Sequence, residues 1–204
     1  MTTNGFPSDM RAFILTLALS LGLLVSFSEK GYSQDRRFSS YHTKLQYAGS
    51  IGFASVGIGR TYLREKLETD LMLGYLPKQI GGDHIWTTAL KTTFVPIRPI
   101  PVKSLDWQPL RAGFQLSYTF GKDYFIFEHH DKYEKGYYGF PTALHLYLYL
   151  GGQVDLARIE KLSRFGVYYE VGSSAEYLIS YIQNPKYLGP GKIFNLALGL
   201  RMRL

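Results

Sequence analysis

The stretch KIFNLALGLRMRL, Lys192 to Leu204, alternates almost from end to end. Phe194, Leu196, Leu198, Leu200, Met202 and Leu204 fall on one parity, and Asn195, Ala197, Gly199, Arg201 and Arg203 on the other. Successive side chains of a strand point to opposite faces, so this period of two describes a strand between two different surroundings. One face is wholly apolar. The other carries two arginines.

Working outward, the same period recurs along the chain. Ala143 to Gly151 (ALHLYLYLG) sets Leu144, Leu146, Leu148 and Leu150 against His145, Tyr147, Tyr149 and Gly151. Leu110 to Gly121 sets Leu110, Ala112, Phe114, Leu116, Tyr118 and Phe120 against Arg111, Gly113, Gln115, Ser117 and Thr119. Phe165 to Tyr181 places Val167, Tyr169, Val171, Ala175, Tyr177 and Ile179 opposite Gly166, Tyr168, Glu170, Ser174 and Glu176. Trp86 to Phe94, with Lys91 on the minor face, and Leu67 to Tyr75, with Glu68 and Asp70 there, complete six strands. No window of eleven or more follows a 3.6-residue period, so the fold class is all-β. Leu45 to Tyr62 changes phase within eighteen residues. A hairpin near Ala54-Ser55 explains the change and brings the count to eight; a bulge in one long strand also explains it and leaves an odd count. Eight is the expectation. Pro and charge gather in the connections at 64–66, 77–84, 96–109, 128–141, 157–164 and 183–192.

Composition agrees with strands. Aromatics reach 16%, led by 17 Tyr and 13 Phe, beside 21 Gly, which favours pleated surfaces and close backbone contacts over helices. The absence of cysteine excludes disulfides, thiolate metal sites and a Cys nucleophile. Met10-Arg11 followed by the sixteen-residue apolar run Ala12 to Phe27 reads as a helical export signal. That run is short for a spanning helix of about twenty residues, so a cleaved signal is expected and a retained anchor is the alternative. Gly31-Tyr32-Ser33 before Gln34 is one cleavage site and Ser26-Phe27-Ser28 another. The expected organisation is therefore signal peptide 1–33, polar lead segment 34–44 and barrel 45–204. Removing 1–33 leaves the net charge at +7, because Arg11 and Lys30 offset Asp9 and Glu29. For an exported chain that charge points to an anionic lipid surface, with no nucleic-acid partner.

An alternating antiparallel chain is either a soluble sandwich, apolar parity inside, or a membrane barrel, apolar parity outside. Strands of nine or more residues, aromatics near the ends of the apolar faces, and a minor face of Gly, Ser, Tyr and single charges favour the barrel. Over residues 45–204 the chain resembles small bacterial outer-membrane β-barrel proteins, and the small residue before Gln34 is similar to signal ends of Bacteroidetes-type exported proteins. The resemblance implies an antiparallel up-and-down transmembrane β-barrel of about eight strands in a Gram-negative outer membrane, in contact with outer-membrane lipids and lipopolysaccharide. It also implies that the C-terminal strand is read by the barrel-insertion machinery, although that family usually ends in an aromatic where this chain has Leu204. By the same resemblance 77–84, 128–141 and 183–192 face outside, and 64–66, 96–109 and 157–164 face the periplasm. Fourteen residues at 96–109 are long for a periplasmic turn.

Eight strands enclose a lumen just wide enough for side chains or one small ligand. Lys91, Arg111, Glu170, Glu176, Arg201 and Arg203, with Glu68 and Asp70, are expected to meet there as ion pairs. Glu128-His129-His130-Asp131 is a dense His/carboxylate cluster, but its spacing matches no metal signature, and neither metal nor cofactor is expected. Among barrels of this resemblance, lipid A deacylases carry a His-x-Ser pair with a Glu, whereas here the histidine reads His145-Leu146-Tyr147. His145, Ser174 and Glu170 are the residues left for such a role, and Asp83-His84 matches only part of the palmitoyltransferase pattern. The primary expectation is a structural or surface-interaction barrel; a lipid A-modifying enzyme and a narrow channel or small-ligand carrier are the alternatives.

Overall fold

The computed structural model describes residues 40–121, 124, 143–184 and 189–204. The expected signal peptide 1–33 and the cluster Glu128-His129-His130-Asp131 lie outside them. Among the described residues nine strands follow in chain order: β1 Tyr41–Ala48, β2 Ala54–Tyr62, β3 Leu67–Leu76, β4 Ile85–Phe94, β5 Ile100–Val102, β6 Leu105–Phe120, β7 Leu144–Asp155, β8 Phe165–Ser174 and β9 Asn195–Arg203. Consecutive strands pair antiparallel except β4 and β5; β4 pairs with β6 instead, and β1 pairs with β9, so eight long strands close into an up-and-down barrel. Closure gives both edges of every long strand a hydrogen-bonding partner. The short β5 stands outside the ring, paired to the start of β6 through Ile100↔Trp107 and Val102↔Leu105.

The burial pattern is that of a soluble protein turned inside out. Leu45, Val56, Leu71, Leu150, Leu198 and Leu200 are exposed on the outer face, while Lys44, Glu68, Asp70, Lys91 and Arg111 are buried inside. Among the described residues nineteen buried side chains are polar or charged and ten are apolar, the reverse of a water-soluble core, which removes the sandwich alternative.

Four boundaries differ from the sequence reading. The first strand begins at Tyr41, within the expected lead segment, because His42, Lys44 and Gln46 face the lumen and a polar inward face hid the period. The first hairpin turns at residues 49–53 rather than near Ala54-Ser55, with Gly49 at φ 85° and Gly52 at φ 143°. A Cβ on Gly52 would lie 2.9 Å from the carbonyl oxygen of Tyr75, so close backbone approach adds to the glycine requirement. Residues 96–109 hold β5 and the start of β6, whose register shifts between Gln108 and Arg111. Finally, the strand from Phe165 stops at Ser174 instead of reaching Tyr181. There Ser174 accepts a hydrogen bond from the Tyr177 N–H and caps helix α2, Ala175–Gln183, with Glu176 in its first turn. Helix α1, Lys78–Gly81, lies between β3 and β4, and α3, Pro190–Ile193, precedes β9.

Inside, Tyr168 is 2% exposed and lies against Gly199, where a Cβ would come within 2.2 Å of its ring. Replacing Gly199 with Val therefore forces the ring to move, and should destabilise the barrel by about 1–3 kcal/mol. Denaturant unfolding followed by the β-sheet circular dichroism checks this. Gly191→Ala, where a Cβ meets nothing within 4 Å among the described residues, should leave the midpoint unchanged.

Candidate functional site

The inward residues come from every long strand because alternate positions of each point to the axis. They are arranged in tiers. At the end bearing Tyr41 and Arg203, Asp155 accepts from Arg203 at 2.9 Å, Gln153 at 2.8 Å and Gln108 at 3.2 Å. Above it, Glu68 takes Arg111 Nη2 at 2.5 Å, Lys44 Nζ at 3.1 Å and Arg201 Nη2 at 3.2 Å. Arg111 also donates to Gln108 Oε1 at 2.7 Å.

Lys44 reaches a second carboxylate, Asp70, at 2.6 Å, and Asp70 in turn contacts His42 Nε2 at 2.6 Å. Arg201 lies 3.3 Å from His42 Nδ1, and a guanidinium can only donate. Nδ1 is therefore the acceptor and Nε2 carries the proton directed at Asp70. In the next tier Lys91 donates to Glu170 at 2.6 Å and Gln46 at 3.0 Å, with its ammonium 4.9 Å from the Tyr149 ring centre and 5.9 Å from that of Tyr168. Tyr149 is tied to Thr93 at 2.7 Å and Tyr168 to Gln46 at 3.3 Å. Aromatic faces thus complete the surroundings of buried cations that have few oxygens in reach.

At the other end Ile51, from the 49–53 turn, packs with Met72 and Ala89, and Gln115 donates to Ser50 at 2.9 Å. That mouth also holds His145, with Nδ1 3.3 Å from Glu176 Oε1.

Of the six charges expected in the lumen, Lys91, Arg111, Glu170 and Arg201 are buried in it and Arg203 sits at its rim. Glu176 is not among them: the turn into α2 carries it to the opposite mouth, beside His145. Nor are His145, Ser174 and Glu170 brought together. Glu170 is held by Lys91 and pairs in register with Gly151, six residues along β7 from His145, a separation of about 20 Å at 3.3 Å per residue. Ser174 pairs with Tyr147 and serves as the α2 cap. Asp83 and His84 are spent locally, Asp83 accepting from the His84 N–H at 2.7 Å and His84 meeting the Tyr75 hydroxyl at 2.6 Å.

His42, Lys44 and Asp155 were not among the expected site residues. The signal for the first two was the alternation Tyr41, Thr43, Leu45 against His42, Lys44, Gln46, read four residues too late. His42, Glu68 and Asp70 place donor atoms within 4.8 Å of one another, as metal ligands do. Their carboxylates are already engaged by Lys44, Arg111 and Arg201, so the charge a metal ion would supply is present as side chains.

Comparison with family models, with curated proteins and with solved structures finds no match to this chain. Geometry therefore carries the functional argument. Its first consequence concerns Glu68, whose removal would leave Arg111 and Arg201 without a carboxylate and Lys44 with Asp70 alone. Glu68→Ala should cost about 3–5 kcal/mol, the range for breaking a buried pair. Adding Arg201→Met should recover part of the loss in a double-mutant unfolding cycle.

Proposed function

We propose that this chain is an outer-membrane β-barrel of a Gram-negative bacterium with a structural or surface-interaction role, in contact with lipopolysaccharide at its mouth. The observation that carries the reading is the outer face: on the barrel strands it is apolar apart from threonines, Ser173 and one arginine. Exposed aromatics bound it in two bands, Tyr41, Phe94, Trp107 and Phe165 at one end and Tyr47, Phe53, Trp86 and Phe120 at the other. Such girdles suit the two interfaces of a bilayer. The apolar run at 12–27 supports export, and the net charge of +7 supports an anionic lipid surface. In the proposed orientation 77–84 and helix α2 face outside, and both Tyr41 and Arg203 lie at the periplasmic end. The packed tiers of Lys91, Tyr149, Tyr168 and Glu68 argue against an open channel.

In this reading the protein sediments with outer membranes and migrates faster on gels unboiled than boiled. Recovery in the soluble periplasm with no heat-dependent shift would sink it. Planar bilayers containing the protein should give no conductance steps.

The pair His145–Glu176 at the mouth favours a second reading, a lipid A-modifying enzyme with His145 as base and Glu176 as its orienter. Ser174 lies on the adjoining strand, yet its hydroxyl oxygen already accepts the helix-capping bond. Incubation with lipid A, read by mass spectrometry, should leave acyl-chain mass unchanged; a loss abolished by His145→Ala would replace the structural reading with the enzymatic one.

A further inference from the structure

Arg60 is the one charged residue on the outward face of the eight barrel strands among the described residues. Its parity is set by β2, where Ala54, Val56 and Ile58 face out with it and Ser55, Gly57 and Gly59 face in. The lumen cations each meet a carboxylate. Arg60 meets two rings instead, its guanidinium carbon lying 5.3 Å from the Tyr41 ring centre and 5.1 Å from that of Tyr62.

Contacts with π faces consume none of the guanidinium N–H donors. Nε is shielded from solvent and has no hydrogen-bond partner among the described residues, and neither has the neighbouring Thr69 hydroxyl, which is also shielded. Register places these groups side by side: Tyr41 pairs with Arg60 across β1 and β2, and Arg60 with Thr69 across β2 and β3. The result is a cation held by aromatic rings, with a hydroxyl at its flank and, among the described residues, no oxygen to receive its Nε proton. The missing component is an oxyanion with several acceptor oxygens.

We infer that Arg60, Tyr41, Tyr62 and Thr69 form a binding site for the phosphate of a glycerophospholipid headgroup. The inference rests on the membrane reading above. Arg60 lies two residues before the end of β2, and Tyr41 opens β1, so the site is at the interfacial end of the apolar belt rather than its middle. That end carries Arg203 and, in the proposed orientation, faces the periplasmic leaflet, where glycerophospholipids supply the phosphates. Guanidinium matches phosphate geometry with paired N–H bonds, and tyrosine rings, apolar in body and polar at the tip, suit a bilayer interface.

The test uses the barrel in nanodiscs of phosphatidylglycerol and phosphatidylethanolamine, released into detergent and weighed by native mass spectrometry. Wild type should retain a bound phospholipid, and Arg60→Gln should retain it at least about tenfold less, the scale of one lost charge-assisted contact. Arg60→Lys should fall between. A Tyr41→Leu, Tyr62→Leu variant, which keeps the charge and removes the rings, should also retain less. Equal retention by Arg60→Gln and wild type would overturn the site, as would displacement of the lipid by inorganic phosphate alone or by lipid A.

Trp86 and Trp107, the two tryptophans of the chain, both lie exposed on the outer face and report separately on the membrane. Quenching by brominated acyl chains in wild type and Arg60→Gln, with equal lipid retention, would reject the site alone. Absence of quenching in both would reject the membrane reading beneath it.

Discussion

A carboxylate withdrawn from water persists as an anion only where other groups replace its hydration, and Glu68 imposes that condition on the whole lumen. It sits on β3, while its three partners stand on β1, β6 and β9. Four strands are thereby linked across the axis as well as around the wall. A slip of one residue in any of them would send its cation to the outer face, so the charge tiers reinforce the register that the backbone ladder sets.

The same requirement explains why the interior is full. The lumen lysines, arginines and glutamates bring long side chains, and Tyr149 and Tyr168 are buried beside them. Gly199 is needed beneath Tyr168 because the ring lies almost on the wall. An eight-stranded wall encloses little more than this, so structural stability and an open passage compete for the same volume. Here the side chains have taken it.

Much of this architecture was legible in alternation alone. Phe194 to Leu204 and Leu144 to Leu150 present the outer face as a plain apolar parity, and the opposite parity named Lys91, Arg111, Glu170 and Arg201. What stayed hidden did so for physical reasons. The start of β1 is polar on its inward side and holds Tyr41 and Thr43 on its outward side, so no apolar stripe marks it. The turn at 49–53 uses separate glycines rather than an Asn-Gly pair, and Ile51 within it is buried like a strand residue. Past Ser174 the apolar alternation Ala175, Tyr177, Ile179 continues by accident into a helix, and only the cap marks the change. That accident moved Glu176 from the expected lumen to the mouth. Arg60 shows the complementary case: its parity was readable, but its meaning depended on knowing that the described barrel strands hold no other outward charge.

The lumen pairs also join parts of the chain that are remote in sequence. Lys91 and Glu170 are 79 residues apart, Tyr168 and Gln46 122, and Arg201 and His42 159. Until β9 meets β1, several of these groups have no partner to meet. A half-built wall would hold charges on a surface destined to be dry, and the energetic return arrives only when the ring shuts. Assembly of this barrel is therefore concentrated in its last step, with loop-closure entropy spent before the ion pairs form. The arginine at position 201, near the end of the last strand, acts as the latch: its arrival satisfies Glu68, Thr61 and His42 together.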